Sequence, residues 1–128
     1  MFDVIIGNIR RSIYIGADDT TELTSPLYPN DYINNADETW VIRTEEGRRI
    51  NITFLAFRTE SGYDPLRAGH GDNSSDSRTT FFEWSGADEP PDVVSFGNEM
   101  WLRFTTDESV TYSGFSLSAR SVTATGMY

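Results

Sequence analysis

The sequence predicts an all-β fold, either a sandwich or a barrel, on the basis of two observations. Turn-forming residues (Gly, Pro, Asn, Asp and Ser) recur about every ten residues along the chain. The runs between them are short and rich in Val, Ile, Thr and aromatic residues. This spacing is typical of β-sandwiches and β-barrels. No helical period extends beyond one turn, and 128 residues is the length of a single domain.

Alternation of apolar and polar residues marks the individual strands. In the clearest run, 49–57, Ile50, Ile52, Phe54 and Ala56 fall on one face and polar residues on the other. A period of two is what a half-buried strand requires. The other predicted strands are 39–43, 81–84, 100–104 and 115–119, with further edge strands at 2–7 and 12–15.

The predicted strands are joined by turns and loops. Gly47 supplies the positive φ of a hairpin turn at 45–48. The segment 25–32 is irregular and interrupted by prolines, and 69–80 is expected to be a polar, mobile loop. Residues 121–128 have the composition of a tail or linker.

Composition excludes several classes of function. Twenty acidic residues against ten arginines, with no lysine, give a net charge of −10, which disfavours nucleic-acid binding and favours cations or basic partners. The absence of cysteine excludes disulfides, thiolate metal sites and a cysteine nucleophile. No apolar run is long enough for a membrane-spanning helix. Residues 1–7 lack the features of a signal peptide, so a removed signal, an excised segment and a non-secreted protein all stay open.

An ordered series of motifs runs from about residue 16 to residue 120. Its parts are Leu23–Tyr32 (LTSPLYPNDY), Trp40–Ile42, Gly47, 50–57, Glu60, Tyr63-Asp64, 101–109 and Gly114-Phe115. This series resembles the CUB domain family of extracellular modules. The resemblance implies a two-sheet antiparallel β-sandwich of the jelly-roll type. It places the domain at 16–120, an N-terminal strand or extension at 1–15, and a tail or linker at 121–128.

The sequence departs from the family pattern at the positions of the cysteines. Typical CUB domains carry two disulfides, and here Glu38 stands two residues before Trp40, where a cysteine is expected. Ser61 and Ser85 occupy the positions of the second pair. The resemblance therefore implies an atypical member that is stabilised by its apolar core alone.

Acidic residues in the predicted loops suggest a cation site. Three converging carboxylates repel one another, and a divalent ion removes that repulsion, although acids in loops are commonly just solvated. The calcium-binding CUB class uses such a set. Carried over by resemblance, the calcium ligands are Glu60, Asp64 and Asp107, supported by Tyr32 and by backbone oxygens near Ser109 and Val110.

The resemblance implies a non-enzymatic, calcium-dependent recognition or adhesion module that is extracellular. In that class the ligand carboxylates accept a lysine or arginine from a partner protein. We expect Tyr28 and Tyr32 to pack on the basic side chain. Two alternatives stay open: a carbohydrate-binding β-sandwich, and a structural subunit of an extracellular assembly or homo-oligomer.

Other candidate residues have weaker support. His70 lies in a polar loop without a nucleophile pattern beside it, so no catalytic role is assigned. Trp84 and Trp101 are a candidate sugar-stacking platform, although packing of the outward Trp101 beneath a loop or beneath the N-terminal strand is favoured. The triplets that begin at Asn51 and Asn73 are candidate N-glycosylation sites.

Overall fold

A computed structural model describes residues 8–124 of the chain. Within these residues the fold consists of nine β-strands and one short 3-10 helix. The strands are β1 (Asn8–Ile15), β2 (Thr20–Thr24), β3 (Asp37–Thr44), β4 (Arg48–Arg58), β5 (Leu66–His70), β6 (Thr80–Trp84), β7 (Val93–Val94), β8 (Glu99–Thr105) and β9 (Gly114–Thr123), and the helix is Ser77–Thr79. The strands at 39–43, 49–57, 81–84, 100–104 and 115–119 are confirmed.

The strands form two sheets that pack face to face. The five-stranded sheet has the order β1-β3-β8-β5-β6, and the four-stranded sheet has the order β2-β9-β4-β7. Neighbouring strands are antiparallel except β1 and β3, which are parallel. The two-sheet sandwich is therefore confirmed, with one parallel pair at the edge of an otherwise antiparallel sheet.

The core lies between the sheets and follows the predicted alternation. Met100, Leu102 and Phe104 of β8 are all buried inward, as the period of two requires. Phe104 contacts Phe115 of the opposite sheet edge to face, with ring centroids 5.2 Å apart. Such contacts between the two sheets bury the apolar surface that stabilises the fold.

A bulge in β4 corrects one predicted inward residue. The pairing with β9 shifts register between Phe54 and Ala56, so that Phe57 takes the buried position expected for Ala56. Ala56 is only half-buried, and Leu55 is exposed at the bulge. A bulge of this kind adds one residue to a strand and reverses the faces beyond it.

Both ends of the chain differ from the predicted boundaries. The predicted strand at 2–7 lies outside the described residues. The edge strand expected at 12–15 begins earlier, at Asn8, and β9 continues to Thr123, into the segment expected to be a tail. The flanking segments thus contribute strands to the same two sheets.

The predicted loop at 69–80 is wrong at both ends, because Gly69 and His70 belong to β5 and Thr80 belongs to β6. The indole of Trp101 lies across Gly69, and a β-carbon there would come within 2.2 Å of the ring. Trp101 is 1% exposed, and its Nε1 donates a hydrogen bond to Thr79 Oγ1 (2.9 Å). The expectation that Trp101 packs beneath a loop is confirmed.

Two other aromatic residues have packing roles. The register of the five-stranded sheet puts Trp84 on the core-facing side and Trp101 on the outer side, so they do not form one platform. The imidazole of His70 is stacked between Phe81 and Phe96, with centroid distances of 4.5 and 4.0 Å.

Glu38 anchors β1 to the sheet at the position where a cysteine was expected. Its side chain is buried and accepts hydrogen bonds from the Ile9 amide (3.0 Å) and from Arg11 Nη1 (3.1 Å). The Arg11 guanidinium also lies over the Trp40 ring, 5.9 Å from its centroid. A buried charged acceptor with two donors therefore connects the two strands without a covalent bond.

We predict that Glu38→Ala lowers the free energy of unfolding by about 2 kcal/mol, because it leaves the Ile9 amide and Arg11 without their acceptor. Glu83→Ala is the control, since Glu83 pairs with Arg67 on the exposed outer face (2.7 Å) and should contribute less than about 1 kcal/mol. Urea unfolding of both variants measures the difference. Equal losses in the two variants would contradict the anchoring role.

Candidate functional site

Three carboxylates converge at one end of the sandwich. Glu60 and Asp64 lie in the connection from β4 to β5, and Asp107 follows β8, the neighbour of β5. The antiparallel pairing of β5 with β8 places the start of one beside the end of the other. One carboxylate oxygen from each residue lies within 4.8 Å of the others. The structure thus brings together all three predicted acidic ligands.

Asp64 is the centre of the hydrogen bonding at this site. It is fully buried, its Oδ1 accepts the amide proton of Asp107 (2.9 Å), and its Oδ2 accepts the hydroxyl proton of Tyr32 (2.6 Å). The Tyr32 hydroxyl in turn accepts the amide proton of Glu60 (3.0 Å). Tyr32 therefore connects the loop after β2 to the connection from β4 to β5, and Asp64 connects that segment to the loop after β8.

The short segment from Glu60 to Asp64 forms a tight turn. The Glu60 carbonyl accepts the amide protons of Tyr63 (3.2 Å) and Asp64 (3.0 Å). Gly62 has a φ of 82°, a left-handed conformation that glycine adopts without steric cost. Because of this turn, the carboxylate of Asp64 lies close to that of Glu60.

The electrostatics of the site favour a bound cation. Burial and the nearby charges of Asp107 and Asp64 raise the pKa of Glu60. Burial also raises the pKa of Asp64, although hydrogen bonds from Tyr32 and the Asp107 amide oppose that shift. Glu60 Oε1 is buried and has no hydrogen-bond partner among the described residues. An unpartnered oxygen among mutually repelling carboxylates fits a hard divalent ion such as calcium.

The remaining predicted site residues differ in their contacts and their exposure. Ser109 donates its amide proton to Asp107 Oδ1 (3.2 Å), and Val110 has a φ of 64° and is half exposed. Tyr28 is half-buried. The partner-contact role expected for Tyr32 is corrected, because its side chain is 2% exposed and its ring packs on Phe104.

Sequence reasoning missed Tyr63 as a surface residue of the site. It lies in the turn between Glu60 and Asp64, and its side chain is 65% exposed. The feature of the sequence that could have identified Tyr63 is its position between two candidate ligands. Tyr63 offers the exposed aromatic surface that Tyr32 does not.

Hydrogen bonds hold the acidic turn to the loop after β6. The Gly62 amide donates to Ser85 Oγ (2.9 Å), the Thr59 amide donates to the Gly86 carbonyl (2.8 Å), and the Gly86 amide donates to Thr59 Oγ1 (3.1 Å). Ser61 and Ser85 are the positions where a second disulfide was expected. Polar contacts therefore connect these two loops where a covalent bond is typical.

A two-sheet sandwich with converging acids in the loops at one end has the architecture of a binding module. The chain belongs to the CUB domain family, whose model matches residues 14–118, and this confirms the resemblance seen in the motifs. CUB domains are generally non-catalytic protein-interaction modules of extracellular proteins.

Individual relatives agree with this assignment. The chain is 34% identical over 104 residues to "Bone morphogenetic protein 1" of Xenopus laevis, covering 78% of this chain and 14% of that protein. It is 32% identical over 102 residues to human "Tolloid-like protein 2", covering 77% of this chain and 10% of that protein. The chain thus spans a small part of the length of these relatives.

Solved structures share the fold. The "Full extracellular region of zebrafish Gpr126/Adgrg6" matches with a TM-score of 0.73 and 28% identity, over 87% of this chain and 14% of that one. The MASP-1 CUB2 domain, solved bound to Ca2+, matches with a TM-score of 0.70 and 24% identity, over 84% of this chain and 96% of that one.

The described residues contain no helix long and apolar enough to cross a membrane.

We predict that the double variant Ser61→Cys, Ser85→Cys forms a disulfide, since the two loops are already in hydrogen-bond contact at this point. The disulfide would close the loop between residues 61 and 85, which should raise the free energy of unfolding by about 2–4 kcal/mol. Thiol titration after mild oxidation and thermal unfolding with and without reductant measure both effects. The Ser61→Ala, Ser85→Ala variant is the matched control. Free thiols that persist after oxidation would show that the loops do not approach as described.

Proposed function

We propose that this chain is a calcium-dependent protein-recognition module of an extracellular protein and that it binds a basic side chain of a partner. The observation that carries the proposal is the approach of Glu60, Asp64 and Asp107 to within 4.8 Å, with one buried, unpartnered oxygen among them. A calcium-bound CUB domain of the same fold supports the choice of ion.

In this proposal Glu60, Asp64 and Asp107 are the ligands of the calcium ion. The positive charge of the ion offsets the repulsion among the three carboxylates. Tyr32 keeps Asp64 oriented through its short hydrogen bond (2.6 Å). Backbone oxygens near Ser109 complete the shell. Because the three acids come from two separate loops, a bound ion would order both loops relative to each other.

The partner group is expected to be a lysine or arginine, since charge-assisted hydrogen bonds to carboxylates are strong and directional. The net charge of −10 attracts a basic protein over a longer range. The exposed ring of Tyr63, and the half-buried Tyr28, provide surfaces for the aliphatic stem of such a side chain. The proposal assigns the aromatic contact to these two residues.

We predict that the chain binds calcium with a dissociation constant on the order of 10⁻⁴–10⁻³ M, as extracellular modules do. Asp107→Asn should weaken binding at least about tenfold, because it removes a charged ligand. Glu108→Gln removes the same charge from the exposed neighbouring position and should leave the affinity within about twofold. Isothermal titration calorimetry measures the calcium affinity of the wild-type chain and of both variants. No binding at millimolar calcium, or equal losses in both variants, would refute the calcium site.

We predict that a lysine-containing peptide binds the chain only when calcium is present and that the same peptide with alanine in place of lysine does not bind. Surface plasmon resonance with and without a chelator measures the dependence. Glycan binding that survives chelation would instead support a carbohydrate-binding sandwich. Self-association of the chain, detected by light scattering without peptide or glycan, would support a structural subunit.

A further inference from the structure

The segment between β5 and β6 lies across the outer face of the five-stranded sheet, away from the candidate calcium site. Arg10 Nη2 donates a hydrogen bond to the Asp72 carbonyl (2.9 Å), and Trp101 Nε1 donates to Thr79 Oγ1 (2.9 Å). These contacts fix both ends of the segment to the sheet. The residues between them therefore form a supported turn on the surface.

Asn73 stands at the exposed start of this turn. Its Oδ1 accepts the amide proton of Ser75 (3.0 Å), and its carbonyl accepts the amide proton of Asp76 (3.1 Å). Both Asn73 and Ser75 are exposed, and the structure gives the Nδ2 amide of Asn73 no hydrogen-bond partner within residues 8–124. The backbone turn thus holds the side-chain oxygen and leaves the nitrogen free.

We propose that Asn73 is an N-glycosylation site, with Asn73-Ser74-Ser75 as its acceptor triplet. This inference rests on the extracellular placement in the proposed function. The donor is an oligosaccharide linked to a polyprenyl diphosphate. A bond forms between Asn73 Nδ2 and the C1 carbon of the first sugar while the C1–O bond to the diphosphate breaks. The diphosphate leaves with the electron pair, and a transferase base takes one amide proton.

The second triplet, at Asn51, has a different environment. Asn51 pairs with Arg120 of β9 on one side and with Val94 of β7 on the other, and it is half-buried. A transferase must reach it before β4 joins its sheet. Asn73 is in a surface turn and stays accessible before and after folding. The geometry therefore favours Asn73 as the modified residue.

A glycan at Asn73 would leave the calcium loops open. Asn73 follows the end of β5 that points away from Asp64, which precedes the other end of the same strand. The five residues of β5 span roughly 16 Å. The glycan would cover the outer face of the sheet, so that a partner approaches through the acidic loops.

The test is to secrete the full 128-residue chain from mammalian cells behind a cleavable leader and to map its peptides by mass spectrometry before and after N-glycosidase treatment. We expect a glycan on Asn73 that disappears in Asn73→Gln and in Ser75→Ala. Ser75→Thr preserves the acceptor triplet and should retain the glycan, and Asn51→Gln should also retain it. An unmodified Asn73 in the secreted wild-type chain would overturn the proposal.

Calcium titration of the same secreted chain separates this inference from the proposed function. A chain that binds calcium but carries no glycan on Asn73 refutes only the glycosylation site. A glycosylated chain without calcium affinity refutes only the calcium site.

Discussion

The hydrogen bond from the Tyr32 hydroxyl to Asp64 (2.6 Å) is the interaction on which the functional end of the molecule depends. It orients a fully buried carboxylate and joins the loop after β2 to the acidic turn. The Tyr32 ring packs edge to face on Phe104, which packs in the same way on Phe115 of the other sheet. Through these rings the position of Asp64 is coupled to the core, so the geometry of the site follows from the packing of the sandwich.

The charges are distributed unevenly over the surface. On the outer face of the five-stranded sheet, arginines are paired with acids, as in Arg103 with Asp37 (2.7 Å). By contrast, none of Glu60, Asp64 and Asp107 forms an ion pair with an arginine among residues 8–124. The three carboxylates of the site therefore leave a local negative charge that no arginine balances, and this charge would attract an approaching cation.

Sequence periodicity predicts the long central strands because one side of each faces the core. It misses β5, which lies between two strands and carries the uncommon pair Gly69 and His70, and it misses the bulge that moves Phe57 inward. The three acids were identified from the spacing of family motifs, since composition alone does not separate them from the other acidic residues. The roles of Tyr63 and Glu38 depend on exposure and on contacts between distant segments, which a linear pattern does not contain.

Where disulfides are typical, this chain uses a buried carboxylate at Glu38 and hydroxyl contacts at Ser85. With no cysteine in the sequence, its folding needs no oxidation step and no disulfide isomerase. Reductants cannot unfold it, and thiol exchange cannot scramble it. The domain is thus independent of the thiol–disulfide balance of its surroundings, and its stability comes from the apolar core and from the buried polar contacts of Glu38 and Asp64.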